Sequence, residues 1–468
     1  MATLKLGSNS LLTLTSRITT PSIHIQKDGN HWYVPLFSGD KGSVIQSGDY
    51  NYTLGGLKVG SYRAVVGREV IKIRVFATVY TTWILTPNGE LYGCGSNDEG
   101  AQSAGEPANI PYILTFTKRA SNVKDFCCSM YTTWYIDNNN DLYGCGHNDY
   151  GQQGSGDTTI VTVFTKRASN VKKVSCSTYT TWYIDNNNNL YGCGDDFRGA
   201  QGSGLQYNNE VLVFTKRAEN VKDFCCSPDT TWYIDNNNDL YGCGHGAYGQ
   251  QGSGDRYFEV NNFTKRASNV KKVRCTDETT WYIDNNNDLY GCGLNDYGGQ
   301  GSGESGNTSH VTVFTKRAEN VKDFCCSRLT TWYIDNNNDL YGCGYNFRGQ
   351  QGSGDTTNVL TFTKRASNVR EVVCTEYITW YIDNNNNLYG CGNNGYGQQS
   401  AGEPANIPYV LTFTKRASNV REVVCTEYTT WYIDNNNNLY GCGESGQGQQ
   451  GSGNGNYVSV FTKRDYKN

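Results

Sequence analysis

The sequence has few of the residues from which catalytic sites and membrane spans are built. There are 5 histidines and 2 methionines in 468 residues, and the histidines are scattered at His24, His31, His147, His245 and His310. No Ser-His-Asp or Cys-His constellation can be assembled from them, so the sequence predicts no catalytic site and no enzyme. No apolar run approaches the length of a membrane span, and the first residues lack the apolar core of an export signal. We expect no membrane insertion and no Sec-dependent secretion.

Proline is also scarce, and no long stretch shows helical periodicity. The chain has 8 prolines but 54 glycines, and aromatic residues make up 13% of it. The apolar share comes mainly from Tyr, Trp, Val, Ile and Cys, a strand-forming composition. The 40 basic residues are balanced by 44 acidic ones, and the net charge of -4 argues against a dedicated nucleic-acid surface. The composition predicts an all-β protein whose partner is not a nucleic acid.

The dominant feature of the chain is an internal repeat. Eight units of 48 to 52 residues follow one another, and the last is cut short at Arg464. Each contains a YGCG motif and has the length of a four-stranded propeller blade. The units begin at Ile71, Val123, Val171, Val221, Val270, Val321, Val369 and Val420. We predict a closed β-propeller of eight blades over residues 71–468.

Each unit predicts four short strands. In the second unit they cover residues 123–129, 132–137, 141–145 and 160–165. The run TWYI that begins at Thr133 is apolar on both faces. Such a strand is expected where blades stack face to face and both faces of a sheet are buried.

The cysteines recur with the repeat and do not form the clusters of a disulfide-rich domain. From the second unit on, one cysteine stands 17 residues before the YGCG cysteine, as Cys128 does before Cys145. The first unit has Ala77 at that position, so Cys94 lacks the equivalent partner. We interpret the cysteines as reduced, buried and small. Without CxxC pairs or nearby histidines, we predict no metal site and no cofactor.

Several positions of the second unit recur along the chain. They are Cys128, residues 133–136, residues 142–146, Asn148 and residues 151–154. The pattern resembles the repeat of the regulator of chromosome condensation family, with Thr132, Cys145 and Gln153 where the family has His, Trp and Leu. The resemblance implies a β-propeller. Known members mostly have seven blades, so seven is the alternative to the eight counted here.

Residues 1–70 lie outside the repeats. Residues 22–37 and 62–70 predict strands joined by Asp-Gly and Gly-rich turns, and hence a small β domain or arm. Residues 54–70 are similar to short N-terminal modules of phage structural proteins. This resemblance implies that residues 1–70 are an attachment module in contact with other virion proteins.

Two recurring motifs suggest ligand binding but have a simpler interpretation. The DNNND motif at residues 137–141 has the spacing of a calcium loop but lacks the glycine and glutamate that complete one, so we interpret it as a hairpin turn. The Lys-Arg pair of each FTKR segment, such as Lys118-Arg119, forms either a ring for an anionic partner or solvated strand ends balanced by acidic residues. We favour the second interpretation of the pairs.

Differences between the units concentrate in two short windows. The first precedes the TTW motif, at Met130-Tyr131 in the second unit, and the second follows the YGCG motif, at residues 147–150. The strands before these windows run in the same direction, so we expect both windows at one rim and the DNNND turns at the other. Tyr and Arg dominate interface hot spots. The predicted partner-binding residues are Tyr131, Tyr150, Phe197, Arg198, Tyr248, Tyr297, Phe347, Arg348 and Tyr396.

Variation of the two windows has two explanations, drift of exposed loops or selected change after duplication, and we favour the second. Variable loops on a constant scaffold are typical of recognition proteins. Together with the attachment module, they favour a non-enzymatic component of a phage virion or tail that binds a protein or a cell-surface receptor. The alternative, which the family resemblance implies, is a cytoplasmic regulator that binds a small GTPase or an enzyme through a propeller face. The sequence leaves both open.

Overall fold

The computed structural model describes residues 72–107, 109–204, 210–256, 259–304, 310–402 and 407–466, and the backbone of six strands before residue 72. The chain divides into two compact units, Met1–Lys72 and Ile73–Asn468. Nearly all regular structure is strand, and the described residues contain two short 3-10 helices, Asp98–Gly100 and Asp296–Gly298. No helix in this part of the chain is long and apolar enough to cross a membrane.

The first unit contains an antiparallel sheet of six strands. Ser22–Lys27 pairs with Asn30–Pro35 in the register that a hairpin between them requires. The other four strands are Thr3–Leu6, Leu11–Thr13, Tyr52–Thr53 and Ser61–Val65. The resemblance to phage modules involves residues 54–70, most of which lie outside the described residues, so it stays a prediction.

The second unit contains eight four-stranded antiparallel sheets, each built from one continuous segment of chain. Within every sheet the strands are hydrogen-bonded in chain order, so the first and fourth strands form the edges. The prediction of an all-β propeller with eight blades is confirmed, and the alternative of seven blades is wrong. We number the blades 1 to 8 along the chain.

The inner half of each blade consists of its first two strands. The first strands are Arg74–Ala77, Val123–Cys128, Val171–Cys176, Val221–Cys226, Val270–Cys275, Val321–Cys326, Val369–Cys374 and Val420–Cys425. The second strands are Thr81–Leu85, Thr132–Asp137, Thr180–Asp185, Thr230–Asp235, Thr279–Asp284, Thr330–Asp335, Ile378–Asp383 and Thr429–Asp434.

The outer half consists of the third and fourth strands. The third strands are Leu91–Ser96, Leu142–Gly146, Leu190–Gly194, Leu240–His245, Leu289–Leu294, Leu340–Gly344, Leu388–Asn393 and Leu439–Gly443. The fourth strands are Tyr112–Ala120, Val161–Ala168, Val211–Ala218, Glu259–Ala267, His310–Ala318, Val359–Ala366, Tyr409–Ala417 and Val458–Arg464.

The hydrophobic core is divided among the boundaries between neighbouring blades. In blade 4, Trp232 and Ile234 pack against Val270 and Val273 of blade 5. The intervening Tyr233 packs on the other face, against blade 3. The second strand is therefore apolar on both faces because each face is covered by a different blade.

Blade 8 closes the ring by packing on blade 1. Trp431 and Ile433 of blade 8 share a cluster with Ile73 and Val75. The guanidinium of Arg421 donates a hydrogen bond to the carbonyl oxygen of Ile73 at 2.6 Å. The two ends of the repeat region thus meet, as predicted for a closed ring. No blade combines strands from both ends, since each is one continuous segment of chain.

Candidate binding rim

Two sets of loops meet at one end of the blades. In blade 2 the inner loop, residues 129–131, joins the first and second strands, and the outer loop, residues 147–160, joins the third and fourth. Gly146 has a φ of 112°, and a Cβ there would collide with the carbonyl oxygen of Tyr131. This close approach lets the N–H of His147 donate to that oxygen at 3.0 Å. We call the inner and outer loops of all blades the loop rim.

The DNNND turns lie at the opposite end of the blades. Asn138 donates its backbone N–H to the carbonyl oxygen of Asn122, which precedes the first strand, at 3.0 Å. The carboxylate of Asp137 accepts the N–H groups of Asn139 and Asp141 at 2.9 and 2.8 Å. The motif is therefore a hydrogen-bonded turn, as predicted. The two variable windows of the blade lie together at the opposite end, on the loop rim.

The inner loops surround the axis of the ring. They line a cavity of about 590 Å³ to which all eight blades contribute a hydroxyl. In blade 2 the Ser129 hydroxyl lies 2.8 Å from that of Thr132 and so fixes the shape of its loop. The hydroxyl residues are Thr78, Ser129, Ser177, Ser227, Thr276, Ser327, Thr375 and Thr426. The first strands are thus innermost, and the fourth strands form the outer wall.

Aromatic side chains connect neighbouring blades over much of the loop rim. The Tyr150 ring of blade 2 lies 5.0 Å from that of Tyr179 in blade 3, measured between centroids. Tyr297 of blade 5 and Tyr345 of blade 6 are equally close, at 5.0 Å. Partial burial raises the pKa of the Tyr150 hydroxyl above its ordinary value. These rings supply both apolar area and hydrogen-bonding groups to a partner.

Ion pairs also connect neighbouring blades on the loop rim, between blades 3 and 4 and between blades 5 and 6. Arg198 pairs with Asp229 of the next blade at 2.6 Å. Arg328 pairs with Glu278 of the preceding blade at 2.5 Å. Asp277 lies at the mouth of the cavity, where desolvation and the charge of Asp229 raise its pKa to about 6. We call these five residues the charged sector.

All nine predicted partner-binding residues lie on the loop rim, but their surroundings differ. Phe347 is 66% exposed and Phe197 is 50% exposed, so both project from their outer loops. Arg198 is held by Asp229, and the Arg348 guanidinium lies 5.1 Å from the ring centroid of Tyr377. The two arginines therefore contribute to contacts between blades. Their part in partner binding, like that of the other seven, stays a prediction.

The second residue of most outer loops belongs to the scaffold. Asn148 is fully buried, and its amide nitrogen donates to the Ser155 hydroxyl at 2.9 Å. Its carbonyl oxygen accepts the backbone N–H of Gln153 at 2.8 Å. The variable outer window is thus narrower than the sequence comparison between units indicates.

Sequence analysis missed the tyrosines of the inner loops, apart from Tyr131. The equivalent place is occupied by Tyr80, Tyr179, Tyr377 and Tyr428. The last three contact an outer-loop residue of the preceding blade. The ring of Tyr80 instead contacts Tyr131, in the inner loop of the next blade. A signal was present, because tyrosine recurs directly before the TTW or ITW motif in five units. The recurrence is only partial, because the other three units have Asp229, Glu278 and Leu329 at this position.

The Lys-Arg pairs are largely engaged on the outer wall. Lys166 pairs with Asp141 at 2.6 Å, and the lysines of four other blades have equivalent carboxylate partners. Arg167 is half-buried, and desolvation lowers its pKa. The arrangement agrees with the second interpretation, in which acidic residues balance the pairs.

The interpretation of all cysteines as reduced is wrong for one pair. Cys325 and Cys374 form a disulfide between the first strands of blades 6 and 7. Sequence analysis considered the spacing of 17 residues within a unit, whereas this bond joins equivalent strands 49 residues apart. The YGCG cysteines are buried free thiols, as predicted.

No family model matches the sequence, and no curated protein matches it. Similarity is found among solved structures. Prp20p from Saccharomyces cerevisiae, studied for its binding to Gsp1p and histones, matches with a TM-score of 0.55 at 15% identity, over 69% of this chain and 85% of that one. Human WBSCR16 has the same TM-score and identity, over 69% and 94% of the two chains.

A third similar structure is yeast RCC1 (Prp20) with Kap60 bound. The TM-score is 0.54 at 15% identity, over 74% of this chain and 88% of that one. Identities this low establish the fold alone. The chain therefore shares the β-propeller fold of the regulator of chromosome condensation proteins.

Proposed function

We propose that the chain is a non-enzymatic, protein-binding propeller that contacts its partner through the loop rim. The observation that carries this proposal is the exposure of large apolar side chains in the outer loops, whose sequences differ from blade to blade. Phe347 and Phe197 project into solvent, although equivalent loop positions elsewhere hold Asp149 or Gly395. Phe347 stacks on Tyr345 of its own blade, yet most of its ring stays exposed, and aromatic side chains are enriched at interfaces.

The charged sector adds specificity to this surface. Besides the ion pairs of the charged sector, the acidic residues Asp277, Glu376 and Glu427 line the cavity. Tyrosines lie on the loop rim in several blades. A partner that presents a basic segment to Asp277 and apolar side chains to Phe347 would complement both. Complementary charge orients the encounter and selects the partner, and the buried aromatic contacts supply most of the affinity.

The solved structures support the cytoplasmic alternative over the virion hypothesis. Prp20p was studied for binding Gsp1p and histones, and Kap60 was solved bound to yeast RCC1. Both observations concern proteins bound by a propeller of this fold. We therefore propose an intracellular regulator that binds a folded protein. A place in a virion and a cell-surface receptor remain predictions without support from these comparisons.

Affinity capture with matched variants tests the proposal. The full chain, a Phe197→Ser/Phe347→Ser variant and an Asn139→Ser/Asn237→Ser control are each immobilised and exposed to extract from the native source. The control changes exposed turn residues at the opposite end of the blades. We expect a protein that is captured by the chain and the control but lost from the rim variant. Loss with the control alone would place the binding site at the DNNND turns.

A further inference from the structure

Neighbouring first strands contact one another beside the axis through two alternating kinds of residue pair. Between blades 1 and 2, 3 and 4, and 5 and 6 the pair is ionic. These pairs are Arg74–Asp125, Lys173–Asp223 and Lys272–Asp323. Between blades 2 and 3, 4 and 5, and 6 and 7 the pair consists of two cysteines.

The three cysteine pairs occupy equivalent places in the ring. Each joins the fifth residue of one first strand to the sixth residue of the next, at separations of 49, 50 and 49 residues. Cys325 and Cys374 are bonded, with their Cα atoms 6.4 Å apart. This Cα separation lies within the range that a disulfide requires, and the other two pairs occupy equivalent strand positions.

The unbonded pairs already have their sulfur atoms in contact. The Sγ atoms of Cys127 and Cys176 are 3.4 Å apart. Those of Cys225 and Cys275 are 3.2 Å apart. The two sulfur atoms of each pair are therefore adjacent, as the formation of a disulfide requires.

The cysteines of the two unbonded pairs are also partly accessible. All four of these cysteines are partly exposed, and Cys275 lines the cavity at the loop rim. We propose that Cys127–Cys176 and Cys225–Cys275 are two further oxidation sites, which form inter-blade disulfides by exchange with a small-molecule disulfide.

The exchange balances without any other reactant. The thiolate of one cysteine attacks a sulfur of the small disulfide, forms a mixed disulfide and releases one small thiolate. The thiolate of the second cysteine then attacks its partner's sulfur, forms the inter-blade bond and releases the second. Two protein thiols are oxidised, one small disulfide is reduced to two thiols, and these take up the two protons.

The environment slows the attack by one thiol of each pair at neutral pH. Burial raises the pKa of Cys127, and the contact with Cys225 raises that of Cys275. Because only the thiolate reacts, the rate rises as pH approaches the thiol pKa. The bonds then hold the inner loops of blades 2 and 3, and of blades 4 and 5, at fixed separations.

Peptide mapping of the full chain tests the proposal. The protein is fully reduced, incubated with oxidised glutathione at about pH 8.5, where thiolate forms more readily, then alkylated and digested without reductant. We expect cross-linked peptides for Cys127–Cys176 and Cys225–Cys275 alongside Cys325–Cys374. Persisting free thiols, stable glutathione adducts, vicinal bonds such as Cys127–Cys128, or bonds between two copies would each overturn it.

The chain itself supplies a conservative control. Val373 and Val424 occupy the fifth strand position in blades 7 and 8, so Cys127→Val introduces a side chain that this place accepts. The variant should lose only the Cys127–Cys176 link and keep the Cys225–Cys275 link. Formation of the second link also shows that the ring of blades is intact in the variant. If Cys176 instead becomes linked to Cys128, the assignment of the pair is wrong.

Discussion

The Sγ atom of Cys193 in blade 3 donates a hydrogen bond to the backbone carbonyl oxygen of Gln152 in blade 2, across 3.4 Å. The YGCG cysteine of every blade makes the equivalent contact with the blade before it, at 3.3 to 3.6 Å. In blade 1 the acceptor belongs to blade 8, so the contacts run around the whole ring. The recurring cysteine is therefore a polar connection between blades as well as a small buried side chain.

Cys193→Ala should destabilise the ring because it leaves the carbonyl oxygen of Gln152 buried without this donor. Loss of a buried hydrogen-bond partner costs about 1–3 kcal/mol. Cys193→Ser keeps a donor and should cost less than alanine. Urea denaturation followed by tryptophan fluorescence measures both, and equal losses would show that packing, and not the hydrogen bond, matters at this position.

Trp232→Ala should cost about 3–5 kcal/mol, through lost burial and the cavity that remains. Trp232 is fully buried, and its ring centroid lies 5.8 Å from that of Phe314 in the next blade. Phe347→Ala is the matched control, since this large ring is mostly exposed. Its cost should lie within about 0.5 kcal/mol. Similar losses for the two variants would contradict the division between scaffold and rim.

Stability should fall as pH rises toward neutrality, owing to Glu371. Burial and repulsion from Glu422 raise its pKa from 4.5 to about 7, although Arg370 opposes the shift. The folded chain then binds a proton more tightly than the unfolded chain, so unfolding becomes easier between about pH 4.5 and 7. Glu371→Gln should flatten the unfolding midpoint over this interval. An unchanged slope in the variant would assign the pH dependence to other groups.

Reduction of Cys325–Cys374 should lower the free energy of unfolding by about 2–4 kcal/mol, since the bond closes a long loop. Thermal unfolding with and without dithiothreitol measures the effect. A Cys325→Val/Cys374→Ala variant lacks the bond, so reductant should not change its stability through this site. Both substitutions should be tolerated, because Val424 and Ala77 occupy the equivalent places where blades 8 and 1 meet. A wild-type chain insensitive to reductant would show that the bond does not constrain unfolding.

The fold was predictable because its determinants are local and repeated. The TTWYID and YGCG segments appear in nearly every unit, and each forms the strand that its residues predict. The positions of both loop windows also follow from strand direction alone. The number of blades follows from counting the repeats. The count of eight was correct, whereas the seven blades usual in the resembling family were not.

Contacts between units could not be predicted in the same way. Cys325 and Cys374 lie in different blades, and nothing in either unit alone indicates which strand faces which. The engagement of Arg198 by Asp229 depends on the same inter-blade geometry. Alignment of units shows which residues vary, but it does not separate side chains that face solvent from those that join two blades.

Hydrogen–deuterium exchange on the complex with the captured protein tests the central claim most directly. Binding should slow exchange in the inner and outer loops, including residues 195–198 and 345–348, and should leave exchange in the turns at residues 137–141 and their equivalents unchanged. Protection of the DNNND turns with unaltered exchange at the loop rim would contradict this claim.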